Sequence, residues 1–423
     1  NTSGPDVPLG AEKVLYQNIQ DATEFAATAA GVVRLRVEID VDGSTTITPD
    51  EVFYTPIYGW QCVAFNDYQC ATLSIPFSAK PVFSGTFATC SLATSSDGGG
   101  NMTLDVTGSA AGADLSAVFG GGGGYYLQLT GGTLEGERFE IHSSGVNTLG
   151  LVYDPDIFSE SDGVTSFNTS SGLPPVADFL GCSFAVIPFR TVDEVFDKTG
   201  AFAGEEDTDP SDATRLLFRN TRLDSPAFEI LMLFGTSTAN SKWILTNDLV
   251  FQNDQGGRRL DPCGGLWVHP KSSGNPNAPT VPAPVEVLTH GRVAEHDQAC
   301  AMRDDYQVIG AMWPLDQSVA GPEGLNLTVT AGFYGDIDPS LSTEWLVWRG
   351  DLVVDDPLVP TYSEGYYNYM LLDGGGMQNW IDINDIGLSN LDSSLVLPSH
   401  RAVGLKLLTG DQKEPHIYPL PNF

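Results

Sequence analysis

Val33-Arg34-Leu35-Arg36-Val37-Glu38-Ile39 sets apolar and polar residues on alternate positions, and this period of two recurs along most of the chain. A strand sends successive side chains to opposite faces, so the alternation predicts short strands with one face buried. Asp42-Gly43 then predicts a tight hairpin turn before Ser44 to Thr48. Gly120 to Gly124 lead into Tyr125-Tyr126-Leu127-Gln128-Leu129 in the same way, turn and then strand. Forty-six glycines and 27 prolines disfavour long helices. The best helical candidate, Ala11 to Ala22, is read as a strand because Leu15-Tyr16-Gln17-Asn18 matches Leu217-Phe218-Arg219-Asn220 ahead of a later repeat.

That repeat is one of three. Asp21 with Phe25, Glu135 with Phe139 and Asp224 with Phe228 each place an acid four residues before a phenylalanine, followed by Gly31, Gly145 and Gly235. Next come Asp50 to Phe53, Asp156 to Phe158 and Asp248 to Phe251, and then Cys70, Cys182 and Cys300. Ile75-Pro76-Phe77 and Ile187-Pro188-Phe189 follow the first two cysteines at one spacing, while Val63-Ala64 and Val293-Ala294 precede the first and third. A fourth, partial copy runs through Gly365-Tyr366-Tyr367 to Trp380-Ile381, echoing Gly124-Tyr125-Tyr126 to Phe139-Glu140-Ile141. Ordered landmarks of this kind predict duplicated modules.

The expected fold is all-β: tandem antiparallel β-sandwich modules, three related copies plus a partial fourth. Expected boundaries are 1–130, 131–215, 216–365 with a proline-rich surface loop at 270–284, and 366–423. The last piece is too short for a full module, so it must complete a sheet or pair with a neighbouring subunit. In pattern and size the modules resemble the immunoglobulin-like sandwiches of extracellular surface proteins, without their diagnostic Cys-Trp-Cys spacing. That resemblance implies an external, modular protein.

Charge narrows the partners. Fifty-four acids against 20 bases give a net charge of −34, a poor field for nucleic acid or anionic membrane. No apolar run reaches the roughly 18 residues of a membrane helix, so no membrane insertion is expected. The start at Asn1, without methionine or leader, reads as a mature exported protein. Six cysteines suit an oxidising compartment. Cys263 is the expected partner of Cys300, either Cys62 or Cys90 that of Cys70, and Cys182 then bridges to the one left over. Asn1, Asn101, Asn168 and Asn326 open Asn-x-Ser/Thr sequons, which permit glycosylation.

Chemistry is sparse by comparison. His269, His290 and His296 fall close together, with Glu295 and Asp297 beside the last, and three imidazoles plus water suit zinc. Against this, their spacing matches no compact ligand motif. No cofactor is expected apart from calcium, for which the acidic run Glu205, Glu206, Asp207, Asp209 and Asp212 is the candidate because hard cations take oxygen ligands. Arg349-Gly350-Asp351 spells an adhesion tripeptide inside an alternating, strand-like segment. Asp336, Asp338 and Glu344 near Trp345 and Trp348 offer carboxylates for glycoside chemistry, which needs a pair at defined separation. The glycine runs lack a phosphate-binding lysine and a following helix, and no Gly-x-Ser-x-Gly elbow occurs.

The expected function is therefore a non-enzymatic extracellular structural protein that self-associates into a surface layer, appendage or filament. A secreted adhesin binding carbohydrate or a receptor through exposed tyrosines and tryptophans is the first alternative. A secreted metal-dependent or glycoside hydrolase is the second.

Overall fold

A computed structural model describes residues 31–34, 36–38, 52–65, 70–87, 91–94, 101–105, 124–146, 148–152, 176–196, 202, 204, 213–219, 228–235, 240–248, 250–262, 264–271, 285–300, 305–321, 324–349, 365–374, 377–383, 395–408, 416–418 and 420. These residues are nearly all β, and every strand pair described is antiparallel. Three large sheets and one three-stranded sheet carry the fold. The seven-stranded sheet runs in the order Phe83–Thr86, Ser183–Pro188, Tyr125–Gly131, Arg138–Ser144, Thr148–Val152, Asn101–Asp105, Ser91–Thr94. A central five-stranded sheet runs Lys242–Leu245, Phe228–Phe234, Arg215–Arg219, Gly265–His269, Ala71–Ser74. The C-terminal five-stranded sheet runs Asp305–Gly310, Ala402–Leu407, Glu344–Arg349, Gly365–Gly374, Met377–Asp382. The three-stranded sheet is Gly31–Val33, Tyr58–Phe65 and Val285–Arg292.

Alternation decides which faces meet. Along Val285–Arg292, Val285, Val287 and Thr289 are buried while Glu286, Leu288 and His290 are exposed. Leu216 and Phe218 alternate likewise on Arg215–Arg219. The inward sets of these two sheets close on one core holding Val63, Phe65, Leu231, Trp243 and Val268. Two antiparallel sheets joined by a shared apolar layer form a β-sandwich arrangement. Phe196 and Phe202 cap it edge-on against Trp243, with centroids 6.2 and 6.4 Å away. A second core lies on one face of the seven-stranded sheet, built on Leu127, Phe139, Ile141 and Phe184. The third packs Trp313, Trp345, Trp380 and Tyr418 beneath the C-terminal sheet.

Strands pair across the expected module boundaries. Ser183–Pro188 lies between Phe83–Thr86 and Tyr125–Gly131, so one sheet holds residues from both sides of position 130. Ala71–Ser74 pairs with Gly265–His269, and Tyr58–Phe65 with Val285–Arg292, joining the first and third expected modules. Among the described residues from 366 onward, the strands pair within their own chain: they finish the C-terminal sheet, and His416–Tyr418 pairs with Gln298–Cys300. The single strand expected at 33–39 is two. Gly31–Val33 pairs with Tyr58 to Trp60 and Arg36–Glu38 with Val52–Tyr54, and between them the Arg34 Nε donates to Thr55 O at 3.1 Å. Arg34 thus anchors the crossing from one sheet to the next.

Candidate functional site

The inward face of the seven-stranded sheet is filled, but its other face is only partly covered. Tyr126, Ala185 and Ile187 form a small apolar cluster there, with Phe189 against Tyr126 at 5.0 Å. Beside it Gln128 and Arg138 point away from the sheet into a cleft of about 330 Å³. The opposite walls are the segments 75–81, 260–262 and 292–298. They are held in place by backbone bonds: Ser78 and Arg292 exchange both N–H···O contacts at 3.0 Å, Leu260 N donates to Arg190 O at 2.8 Å, and Ala299 N donates to Gly136 O at 3.0 Å. Gly291 makes this approach possible, because a Cβ there would stand 2.5 Å from Ser78 O and from the Arg190 guanidinium.

Polar side chains converge on Gln298, which is buried. Its Oε1 accepts from Gln128 Nε2 at 2.9 Å and from the Arg138 guanidinium. Its Nε2 donates to Asp297 O at 2.9 Å and lies 2.9 Å from His296 Nδ1, which is itself 2.8 Å from Asp297 O. Asp297 is fixed from behind, its Oδ1 accepting from Leu420 N at 2.8 Å. Burial pushes the His296 pKa down; Arg138 and Arg292 push the same way, and the hydrogen bond with Asp297 opposes them in part. The charged form of His296 is thus disfavoured by its burial beside Arg138 and Arg292.

Three arginines line this space, Arg138, Arg190 and Arg292, against two carboxylates, Glu295 and Asp261. Glu295 is already engaged by Arg34 at 3.2 Å and lies 4.0 Å from Arg292. Arg190 donates through Nη2 to His290 O at 2.6 Å, while its Nε is buried with no hydrogen-bond partner. Burial also lowers the Arg190 pKa, opposed by Glu194 and Tyr126. A desolvated guanidinium with an unmet donor is an unfavourable state that a bound oxyanion would relieve. Ile75, Phe77 and Met312 add apolar wall, and Ser78, Ser84, Thr130 and Ser183 add hydroxyl groups. The arrangement suits an organic anion whose body carries both polar and apolar surface.

The sequence candidates are distributed differently. His290 lies on the strand facing Trp60, and its pKa is lowered by burial and by Arg190 although part of its surface is exposed. His269 lies opposite Arg215 in the central sheet, so the three histidines are not drawn into one coordination sphere. Among the described residues no group of three or more His, Cys, Asp or Glu is placed to hold a metal ion. Glu205, Glu206, Asp207, Asp209 and Asp212 lie outside the described residues, as do Asn1, Asn168, Cys90, Cys263 and Gly350-Asp351. Asn101 opens the strand Asn101–Asp105, and Asn326 adopts a left-handed conformation with φ 52°. No disulfide joins two of Cys62, Cys70, Cys182 and Cys300; Cys182 is buried with its thiol donating to Asp178 O at 3.2 Å. Asp336 and Asp338 shape a turn, each accepting from a backbone N–H two residues on at 2.9 Å, and Glu344 pairs with Lys406.

The arginines were missed in sequence because they are far apart in the chain: Arg138 begins one strand, Arg292 ends another, and Arg190 lies in the connection after Ser183–Pro188. The available signal was the repeated landmarks: Ile75-Pro76-Phe77, Ile187-Pro188 and Val293-Ala294 all line this one cleft. No protein-family model, curated protein or solved structure matches the chain.

Proposed function

We propose that the chain is a non-catalytic extracellular recognition protein whose arginine cleft captures an anionic group carried by an organic ligand, such as the carboxylate or sulfate of an acidic glycan. The observation that carries this reading is the convergence of three of the chain's 20 basic residues on one cleft, in a molecule of net charge −34. Long-range repulsion works against an anion approaching such a molecule, so a local cationic pocket acts as a selective exception. The volume falls within the roughly 300–1,000 Å³ of small-ligand sites. Descent from duplicated sandwich modules belongs to the same proposal, supported by two Ile-Pro-Phe triplets, one directly after the strand Ala71–Ser74 and one at the end of Ser183–Pro188, whose Ile-Pro pairs both border one cleft. The test is binding of the full chain to immobilised sulfated, uronic-acid-containing and neutral glycans. Retention on the acidic members, lost on Arg138→Gln/Arg190→Gln substitution, is expected; equal retention on neutral members contradicts the reading.

Self-association is the second reading. Tyr334, Ile337 and Leu341 share one loop of the C-terminal region and are 49%, 73% and 55% exposed. A contact between copies would remove that apolar area from water. Sedimentation of the wild type and of Ile337→Asp decides it: assemblies should be present and weakened by the substitution, and a concentration-independent monomer contradicts it.

A further inference from the structure

A second hollow, of about 350 Å³, lies between the central and C-terminal five-stranded sheets and shares no lining residue with the arginine cleft. Its walls come from both sheets. Arg219 and Phe228 face each other as paired residues at one end of the central sheet, and Trp267 stands on the neighbouring Gly265–His269. Tyr306 comes from Asp305–Gly310 and Asn368 from Gly365–Gly374, with Gly404 between them on the floor. Because Gly404 has no side chain, the floor stays open; a Cβ there would press on Leu346 at 3.0 Å.

Two properties coexist in this hollow. Phe228 and Tyr306 both line the hollow and leave 41% and 38% of their surfaces exposed. Both are nevertheless fixed, Phe228 by an edge contact with Trp267 at 5.1 Å and Tyr306 by the Arg219 and Lys406 cations at 5.9 and 5.7 Å. Lys406 is also paired with Glu344, which offsets its charge. The second property is polar. The Asn368 Oδ1 is buried and accepts no hydrogen bond, a state that costs free energy unless a donor arrives.

We propose that this hollow is a saccharide-binding site taking a pyranose ring. Such a ring has an apolar C–H face for Phe228 and Tyr306 and hydroxyl donors for Asn368 Oδ1, so one ligand meets both demands. Rigid exposed rings lose little conformational entropy on contact, which favours recognition over non-specific adhesion. The proposal stands independently of the arginine cleft, since neither site contributes a residue to the other.

The experiment is saturation-transfer NMR of the full chain with methyl β-D-glucopyranoside, methyl β-D-galactopyranoside and methyl α-D-mannopyranoside. Transfer to at least one of them, strongest on the ring C–H protons, is expected. Tyr306→Ala and Asn368→Ala should each weaken binding about tenfold, the scale of one lost stacking or buried polar contact. Asn368→Ala should unfold no earlier than the wild type, because it removes a buried acceptor without a partner. No transfer to any of the three pyranosides, transfer that survives both substitutions, or a clear loss of stability in Asn368→Ala would overturn the proposal.

Discussion

The sandwich core and the arginine cleft both lie on sheet faces, and they are finished in opposite ways. In the sandwich the inward positions of two sheets are mostly apolar, with Gln61 and Thr289 as a buried polar pair among them, and Trp243, Leu216 and Val268 are completely buried. On the outer face of the seven-stranded sheet the apolar set is broken by Gln128 and Arg138. Close packing is available to the first face and denied to the second, where guanidinium and amide groups need partners rather than contact area. The contrast teaches that a partly polar sheet face under covering loops is a built cavity, and that its polar groups bear on binding more than on folding.

The largest effect should come from breaking the filled side. Trp243→Ala removes a fully buried ring from the sandwich and should cost about 3–5 kcal/mol of stability, measured by denaturant unfolding. On the cleft side, Arg190→Gln should leave stability nearly unchanged yet weaken anion binding by about 1.5–3 kcal/mol, the range for hydrogen bonds to charged groups. Gly291→Ala bridges the two: its Cβ would meet Ser78 O and the Arg190 guanidinium, so it should cost about 1–3 kcal/mol by overpacking and lower anion affinity as well. A version of the protein that tolerates Gly291→Ala without either change would break the comparison.

The smallest effect is a pH dependence. The pKa values of His290, His296 and His400 are all held below the ordinary histidine value, first by burial and then by neighbouring arginines. The unfolded chain takes up these protons near pH 6.5, whereas the folded protein resists them until lower pH. Between those values the unfolded state binds more protons, so stability falls as pH drops below about 6.5 and stops falling from this source once the folded groups are charged. Unfolding midpoints at about pH 7.5 and 5.5 should show the loss, reduced in His296→Gln. Asp248 and Asp338 have lowered pKa values from backbone hydrogen bonds, with a side-chain bond from Ser340 adding at Asp338, so any contribution from them disappears only in the more acidic carboxylate range.

Local pattern reached the elements more readily than their partners. Tyr125–Gly131 forms a strand as expected, entered from Gly124 at φ 81°, while Gly120 to Gly123 lie outside the described residues; strand formation here is decided within a few residues. The division of 33–39 at Arg34 was not legible, since it depends on Tyr58 and Thr55 being in place to receive each half. The echo between residues 124–141 and 365–381 does correspond to structure: each is a hairpin, Phe139 opposite Leu127 and Trp380 opposite Leu371. For the site, His290 and His296 drew attention through proximity in sequence. Sheet pairing instead places His296 beside Gln298 and Arg138, a neighbour 158 positions away that no local spacing encodes. The Ile-Pro-Phe triplets were visible as repeats, while the common position of Ile75-Pro76 and Ile187-Pro188 in one cleft is a product of the long-range topology.

The most direct measurement is calorimetric titration of D-galacturonate into the wild-type chain and into Arg138→Gln/Arg190→Gln, at pH 7.5 and low ionic strength, with D-galactose as the uncharged control. The account predicts saturable binding of the acid by the wild type, weakening with added salt and lost in the substituted protein. Equal binding in the two proteins, or no heat from the acid beyond that of the neutral sugar, would contradict the assignment of the cleft as an anion site.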